Sequence, residues 1–242
     1  MSFDGFAQDF QRKRGTFKKV VSCIQELLNY PEIELEVNSV FTPQTVSQIS
    51  ESIKFIMGLG VPNIRLSLSI LEPWDPSSLR KLQNELIKLS KIVLDHHRKD
   101  GNIPLLNFRD DLGKGIFSCA AGKDRLAVTP EGKIWGCHLF PDYFEGKEDS
   151  PEYQKFYFGS LDNFIKNHKD IYPQISSNYA QLSMENFSTP RMSCFLCKNL
   201  ENCAICPVNA GFSGVPLGKI PLYACEIQKI KIPIKEKFRS EL

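Results

Sequence analysis

Seven of the eight cysteines in this 242-residue sequence fall after residue 118, at Cys119, Cys137, Cys194, Cys197, Cys203, Cys206 and Cys225; only Cys23 lies earlier. The layout is Cys119-x12-Gly132-x4-Cys137, then Cys194-x2-Cys197-x5-Cys203-x2-Cys206, then Cys225. Ionised thiols repel one another, so gathering several calls for cations to bind them. Soft thiolate ligands select zinc or iron–sulfur clusters. A Cys-x2-Cys turn lets two sulfurs reach one metal centre without strain. Three chemistries compete for the set. A disulfide framework asks for an oxidising compartment. Structural zinc takes complete sets of four ligands, and its Cys-x2-Cys pairs usually stand further apart than the five residues between these. Iron–sulfur clusters divide the seven as four and three.

The bulk composition limits the setting. The sequence is 42% hydrophobic and 24% charged with a net charge of +2. That near-neutral balance gives no support for nucleic acid or a membrane surface as partner. No run of about 20 apolar residues is present to cross a membrane. The opening "MSFDGFAQDFQRKRG" lacks the apolar core of a signal peptide. A cytoplasmic location follows as the expectation, where thiols stay reduced.

The elements that must position the cysteines follow from periodicity, and they predict an α/β protein. "GTFKKVVSCIQELLNY" sets Phe17, Val20, Val21, Ile24, Leu27 and Leu28 on one helical stripe, with Cys23 read as core beside them. "IELEVNSVF" is a strand alternating from Ile33, and "NIRLSLSI" is another. Between them a helix is predicted to open with Thr42 as N-cap and Pro43 in its first turn. "DPSSLRKLQNELIKLSKIVLDHHRKDG" is a long amphipathic helix, and "IPLLNF" a further short strand. Strands separated by helices of this length imply parallel βαβ units. They amount to about half of a (β/α) barrel over residues 1–112. Over 113–242 the pattern changes. "DRLAVTPEGKIWGC" is a β-hairpin, "SLDNFIKNHKDI" a short helix, and "SCFLCKNLENCAICPVNAGFSGVPLG" a loop-rich stretch that needs a metal or cluster to hold it.

The cysteine spacing resembles the SPASM domain of radical S-adenosylmethionine (AdoMet) enzymes. "CAAGKDRLAVTPEGKIWGC" is similar to that family's cysteine followed by Gly-x4-Cys, and "CFLCKNLENCAIC" to its Cys-x2-Cys-x5-Cys-x3-Cys, with a last spacing of x2 instead of x3. "SFDG" and "QDFQRKRG" resemble the family's Asp-Gly turn and its His/Gln-Asp-x2-Arg element, in the C-terminal half of the barrel. The resemblance implies a partial radical-AdoMet barrel followed by a small cysteine-rich α+β SPASM domain. It implies an oxidoreductase acting on a peptide or protein side chain. It also implies two auxiliary [4Fe–4S] clusters: one on Cys194, Cys197, Cys203 and Cys225, the other on Cys119, Cys137 and Cys206. Relatives that add a fourth cysteine soon after the first have no counterpart in "AAGKDR" here, so His138, Asp124 or an open iron takes that place.

The family's Cys-x3-Cys-x2-Cys, which holds the AdoMet-cleaving cluster, is absent from the sequence. The expectation is therefore that AdoMet binds only if another chain supplies the missing barrel half, and that this chain is inactive alone. The resemblance assigns Arg12 to the AdoMet carboxylate; the other reading is a solvated charge beside Lys13 and Arg14. Asn38 faces either a barrel ligand or a hydrogen-bond partner at a strand end. His96 and His97 suit the end of a helix dipole, and Trp74 and Trp135 suit packing. Two other classes stay open: a zinc-stabilised interaction module, and a non-catalytic iron–sulfur scaffold pairing with another chain.

Overall fold

The computed structural model describes residues 1–109, 119–185 and 194–242. Two compact units divide the chain, Met1–Leu112 together with Glu226–Leu242, and Gly113–Cys225. The sequence boundary drawn at 112/113 lies outside the described residues. No helix among the described residues is long and apolar enough to cross a membrane.

The first unit runs through α1 (Gln8–Gln11), α2 (Thr16–Leu27), β1 (Glu36–Phe41), α3 (Ile49–Gly58), β2 (Asn63–Leu68), α4 (Pro76–Asp100) and α5 (Leu106–Arg109). Strands β1 and β2 pair in parallel from Glu36 opposite Asn63 to Phe41 opposite Leu68. The N-terminal segment adds a parallel bridge from Ser2 to Asn38, and Leu105 adds another to Ile64. Four successive segments thus lie parallel, the arrangement that βαβ connection requires. Beyond Leu105 the pairing is continued by a side chain. The Asn107 amide accepts from Leu66 N at 2.7 Å and donates to Leu66 O at 2.9 Å, as a neighbouring strand would.

Alternation sorts β1 into two faces. Val37, Ser39 and Phe41 are buried, while Glu36, Asn38 and Val40 are half-buried. On the buried side Phe3 meets Phe17 of α2 and Phe55 of α3 at ring separations of 5.5 and 6.5 Å. Helix α4 is capped at both ends. Asp75 accepts from the N–H groups of Ser77 and Ser78, and Gly101 closes the helix in the left-handed region at φ 75°.

Several expectations need correction. The strand begins at Glu36, and Ile33 is 43% exposed, because the chain before Leu35 lies off the sheet. Thr42 caps no helix. It forms a turn in which Thr45 N–H donates to Thr42 O, and the helix follows only after a short 3₁₀ segment at Val46–Gln48. "IPLLNF" contributes one bridging residue and then a helical turn. Cys23 is exposed. It precedes Ile24 by about 100° around α2, enough to leave the stripe.

The second unit contains β3 (Ala127–Val128), β4 (Lys133–Trp135), α6 (Leu139–Phe144), α7 (Pro151–Phe156), β5 (Tyr157–Ser160), α8 (Leu161–Glu185) and α9 (Asn209–Phe212). The predicted hairpin is β3–β4, and β5 adds a third antiparallel strand. Helix α8 is far longer than the short helix predicted. It is interrupted at Asn167 and tolerates Pro173. Its inward stripe packs with Trp135, Phe140, Phe144, Phe156 and Phe158 into an aromatic core. The final helix, α10 (Leu222–Ser240), holds Cys225 in its first turn, and from Glu226 onward it belongs to the first unit, where Phe238 packs on Phe108 at 4.5 Å.

The Asn107 bridge generates a stability prediction. Asn107→Ala should lower the unfolding free energy by about 1–3 kcal/mol, since it strands two backbone groups of Leu66. Chemical denaturation followed by far-ultraviolet circular dichroism measures this, and an unchanged midpoint would refute it.

Candidate functional site

Two sets of residues in the structure are able to do chemistry, one in each unit. In the first unit the half-buried face of the sheet carries a ladder of polar pairs. Arg65 Nε donates to Glu36 Oε1 at 2.8 Å. That bond holds the Glu36 carboxyl below the usual carboxylate range. Ser67 Oγ donates to Asn38 Oδ1 at 2.9 Å. Arg109 Nη2 donates to Asn63 Oδ1 at 3.1 Å. A polar sheet face of this kind suits a polar ligand, since its donors and acceptors are already oriented.

Arg12 sits at the edge of that sheet and belongs to a compact device. Asp4 is 1% exposed, so its charge needs partners. Its Oδ2 accepts from Arg12 Nε at 2.6 Å, and its Oδ1 accepts from Arg12 Nη2 at 3.3 Å and Val40 N at 2.9 Å. Gln8 accepts from Asp4 N–H and donates to Thr16 Oγ1. Asp9 accepts from Phe17 N–H at 2.8 Å at the start of α2, a bond that lowers its carboxyl. Gln11 donates to Val40 O at 2.7 Å. The "QDFQR" element thus pins α1 and α2 to the end of β1. Sequence reasoning missed Asp4 as the partner of Arg12. The signal was an acidic residue within the apolar "SFDGF", where an unpaired charge would be costly.

The second unit holds all seven late cysteines, and six of them, all but Cys197, fall into two neighbourhoods. Cys137 and Cys206 both pack against the aromatic core. Their thiols sense each other and that of Cys119. Burial is the main cause that raises the Cys137 thiol, with Cys119 adding to it. Burial likewise pushes the Cys206 thiol up to about 12, with Cys119 and Cys137 adding to it. The backbone N–H groups of Leu139 and His138 face the Cys137 sulfur, and those of Val208 and Asn209 face Cys206, partly offsetting the burial.

Cys194, Cys203 and Cys225 gather instead around a small separate core of Cys194, Ile205, Ile220 and Ala224. Hydrogen bonds from Cys197 N to Cys194 O, Leu200 N to Cys197 O and Cys203 N to Leu200 O make a run of i→i+3 turns. Two short 3₁₀ segments, Cys194–Leu196 and Leu200–Asn202, space Cys194, Cys197 and Cys203 along this stretch. Cys203 itself is extended, at φ −86° and ψ 127°, which ends the run and carries Cys206 away.

Among the described residues no three His, Cys, Asp or Glu side chains converge on a site the size of a single ion. The donor chemistry in both neighbourhoods is thiol, the ligand type that iron–sulfur clusters take, with each sulfur on a separate iron. His138 is exposed with its Nδ1 3.8 Å from Cys137 Sγ, and Asp124 is exposed. Trp74 and Trp135 are buried at 3% and 1% exposure. His96 pairs with Asp100 across one turn of α4.

Comparison with known proteins identifies the fold. No family model and no curated protein matches the sequence. Solved structures do match. Native anSMEcpe with bound AdoMet, from an anaerobic sulfatase-maturating enzyme, superposes with a TM-score of 0.70 at 15% identity, covering 99% of this chain and 66% of that one. The polyhistidine-tagged form with bound AdoMet gives 0.69 at 14%, covering 99% and 64%. The form with AdoMet and the Kp18Cys peptide gives 0.65 at 15%, covering 99% and 67%. The chain thus spans about two thirds of the length of these structures.

The Asp4 device predicts a measurable cost. Asp4→Ala should destabilise the chain by about 1–3 kcal/mol, because it strands the Val40 N–H and frees the Arg12 guanidinium. Arg12→Lys should fall short of full rescue, since an ammonium cannot fork onto a carboxylate. Thermal unfolding of the two variants checks the order, and a neutral Asp4→Ala would sink it. The fold of this chain is thus similar to that of the AdoMet-bound anSMEcpe structures.

Proposed function

We propose that this chain is the cluster-bearing portion of a radical-AdoMet protein that modifies a peptide or protein side chain. Residues 1–112 serve as part of the (β/α) barrel and 113–242 as the auxiliary-cluster domain. One [4Fe–4S] cluster is held by Cys194, Cys197, Cys203 and Cys225, and a second by Cys119, Cys137 and Cys206. When bound, such clusters supply one-electron transfer or a Lewis-acidic iron. The residues of this chain orient them, exclude water and tune them through N–H groups aimed at sulfur. Arg12, steadied by Asp4, and Asn38 contribute to an AdoMet site on the polar sheet face. The peptide-bound and AdoMet-bound states of the structural neighbours support this class of ligand.

One observation carries the reading. Cys203 and Cys206 are separated by only two residues, yet they pack in different neighbourhoods. A zinc knuckle would use such a pair on one ion. Two clusters divide it.

Anaerobic reconstitution with iron and sulfide tests the proposal. The protein is expected to turn brown and hold about eight irons per chain, as two four-iron clusters demand. Cys203→Ala and Cys206→Ala should each remove about four irons but abolish different electron paramagnetic resonance signals. Exposed Cys23→Ala should remove none. Stoichiometric zinc without visible absorption, or one shared signal lost in both variants, would overturn it.

A further inference from the structure

Helix α8 turns Tyr172, Ile175, Tyr179 and Leu182 toward the core of the second unit, at the three- and four-residue spacing of one helical face. Apolar packing accounts for Ile175 and Leu182. It does not account for two phenols, because a buried hydroxyl is costly unless bonded. Both hydroxyls are used on the backbone of segments that carry cysteines. Tyr179 OH accepts from Gly136 N at 2.8 Å and donates to Phe156 O at 2.7 Å. Gly136 immediately precedes Cys137. Tyr172 OH donates to the carbonyl of Lys123, in the loop that Cys119 opens.

The rings act with the hydroxyls. A Cβ at Gly122 would stand 2.3 Å from the Tyr179 ring, and one at Gly136 would stand 2.5 Å from it. Both glycines therefore let backbone lie flat on the phenol. Gly122 N–H in turn donates to Gly136 O at 3.1 Å, tying the Cys119 loop to the residue before Cys137. Phe158 stacks on Tyr179 at 5.7 Å and on Tyr172 at 6.0 Å, joining the three rings into one block.

The geometry points to Tyr179, assisted by Tyr172, as a positioning residue that sets the spacing of the Cys119 and Cys137 segments before any metal binds. This rests on the assignment of Cys119, Cys137 and Cys206 to one cluster. The physical need is entropic and electrostatic. A free glycine-containing loop must lose its conformational freedom when its cysteine binds, and a preformed clamp has already removed much of it. By holding the Gly136 N–H, the phenol also fixes which backbone donors remain to face the Cys137 sulfur, and such donors set cluster potential.

The test uses the full chain, reconstituted anaerobically, with iron and sulfide counted and the reduced clusters titrated by electron paramagnetic resonance. Cys206→Ala identifies the signal of the three-thiolate site. Tyr179→Phe keeps the ring and deletes both hydrogen bonds. It should shift the midpoint potential of that signal and weaken iron affinity at that site by about 10–100-fold. The four-thiolate signal should keep its potential and intensity. Tyr172→Phe should act in the same direction, more weakly, and Tyr153→Phe, in the same aromatic core, should change neither signal. Unaltered iron content and potential in Tyr179→Phe would overturn the inference. So would parallel loss of both clusters in Tyr179→Phe and Tyr153→Phe, which would leave Tyr179 a core residue only. If Tyr179→Phe fails to fold, Tyr172→Phe decides, and a wild-type three-thiolate signal there refutes the role. A wild-type chain that takes up no iron would instead overturn the cluster assignment beneath it.

Discussion

Three i→i+3 hydrogen bonds, from Cys197 to Cys194, Leu200 to Cys197 and Cys203 to Leu200, order the stretch that carries three sulfurs of the second unit. They bracket two short 3₁₀ segments, Cys194–Leu196 and Leu200–Asn202. The run must also stop on time. Cys203 breaks into extended backbone, Ile205 drops into the small core beside Cys194, and Cys206 emerges against the aromatic core instead. Two residues between Cys203 and Cys206 are enough for this, because an extended chain advances about 3.3 Å per residue. The separation of the two thiol neighbourhoods thus follows from the backbone between Cys203 and Cys206.

The first unit obeys a different constraint. Among the described residues, the half-buried face of the strand pair carries Val40 beside polar side chains that are matched to one another. Glu36 with Arg65 and Asn38 with Ser67 form rungs of one ladder. Such pairing keeps each group oriented, so a ligand arriving on that face meets arranged partners. The Asp4–Arg12 pair extends the logic to the sheet edge. Exposed ion pairs contribute little, but Asp4 is buried and also accepts from Val40 N–H, so Arg12 is held by a fixed acceptor. The guanidinium is therefore placed by the fold and not by chance solvation.

Much of this was legible from residue order alone. The parallel strands, the long helix α4 and the hairpin followed from period and turn chemistry, because each is a local pattern. The caps of α4, Asp75 and Gly101, stand at the two ends of the stretch read as that helix. What failed was decided by contacts distant in sequence. "IPLLNF" reads as a strand, yet after Leu105 the Asn107 side chain supplies the pairing that backbone would otherwise give. Cys23 reads as core from its place beside the apolar stripe of α2, yet it is exposed. Strand β5 was missed since "YFGS" is short and gains its order from Trp135, against which Tyr157 packs at 5.2 Å. In the site, the thiol donors were legible by type and spacing. Asp4, Tyr172 and Tyr179 were not, because their roles depend on hydrogen bonds that span up to 49 residues.

The two thiol neighbourhoods also differ in what supports them. Cys137 and Cys206 lean on a core of large aromatic and aliphatic side chains drawn from β4, α6, α7, β5 and α8. Burying such rings supplies packing energy regardless of any ligand. Among the described residues, the small core beside Cys194, Cys203 and Cys225 contains four buried residues, one of them a cysteine. The aromatic core is thus ordered by its own packing, and Val208 and Leu217 tie the stretch after Cys206 to it, while the turns at Cys194–Cys203 rest on the smaller cluster of Cys194, Ile205, Ile220 and Ala224.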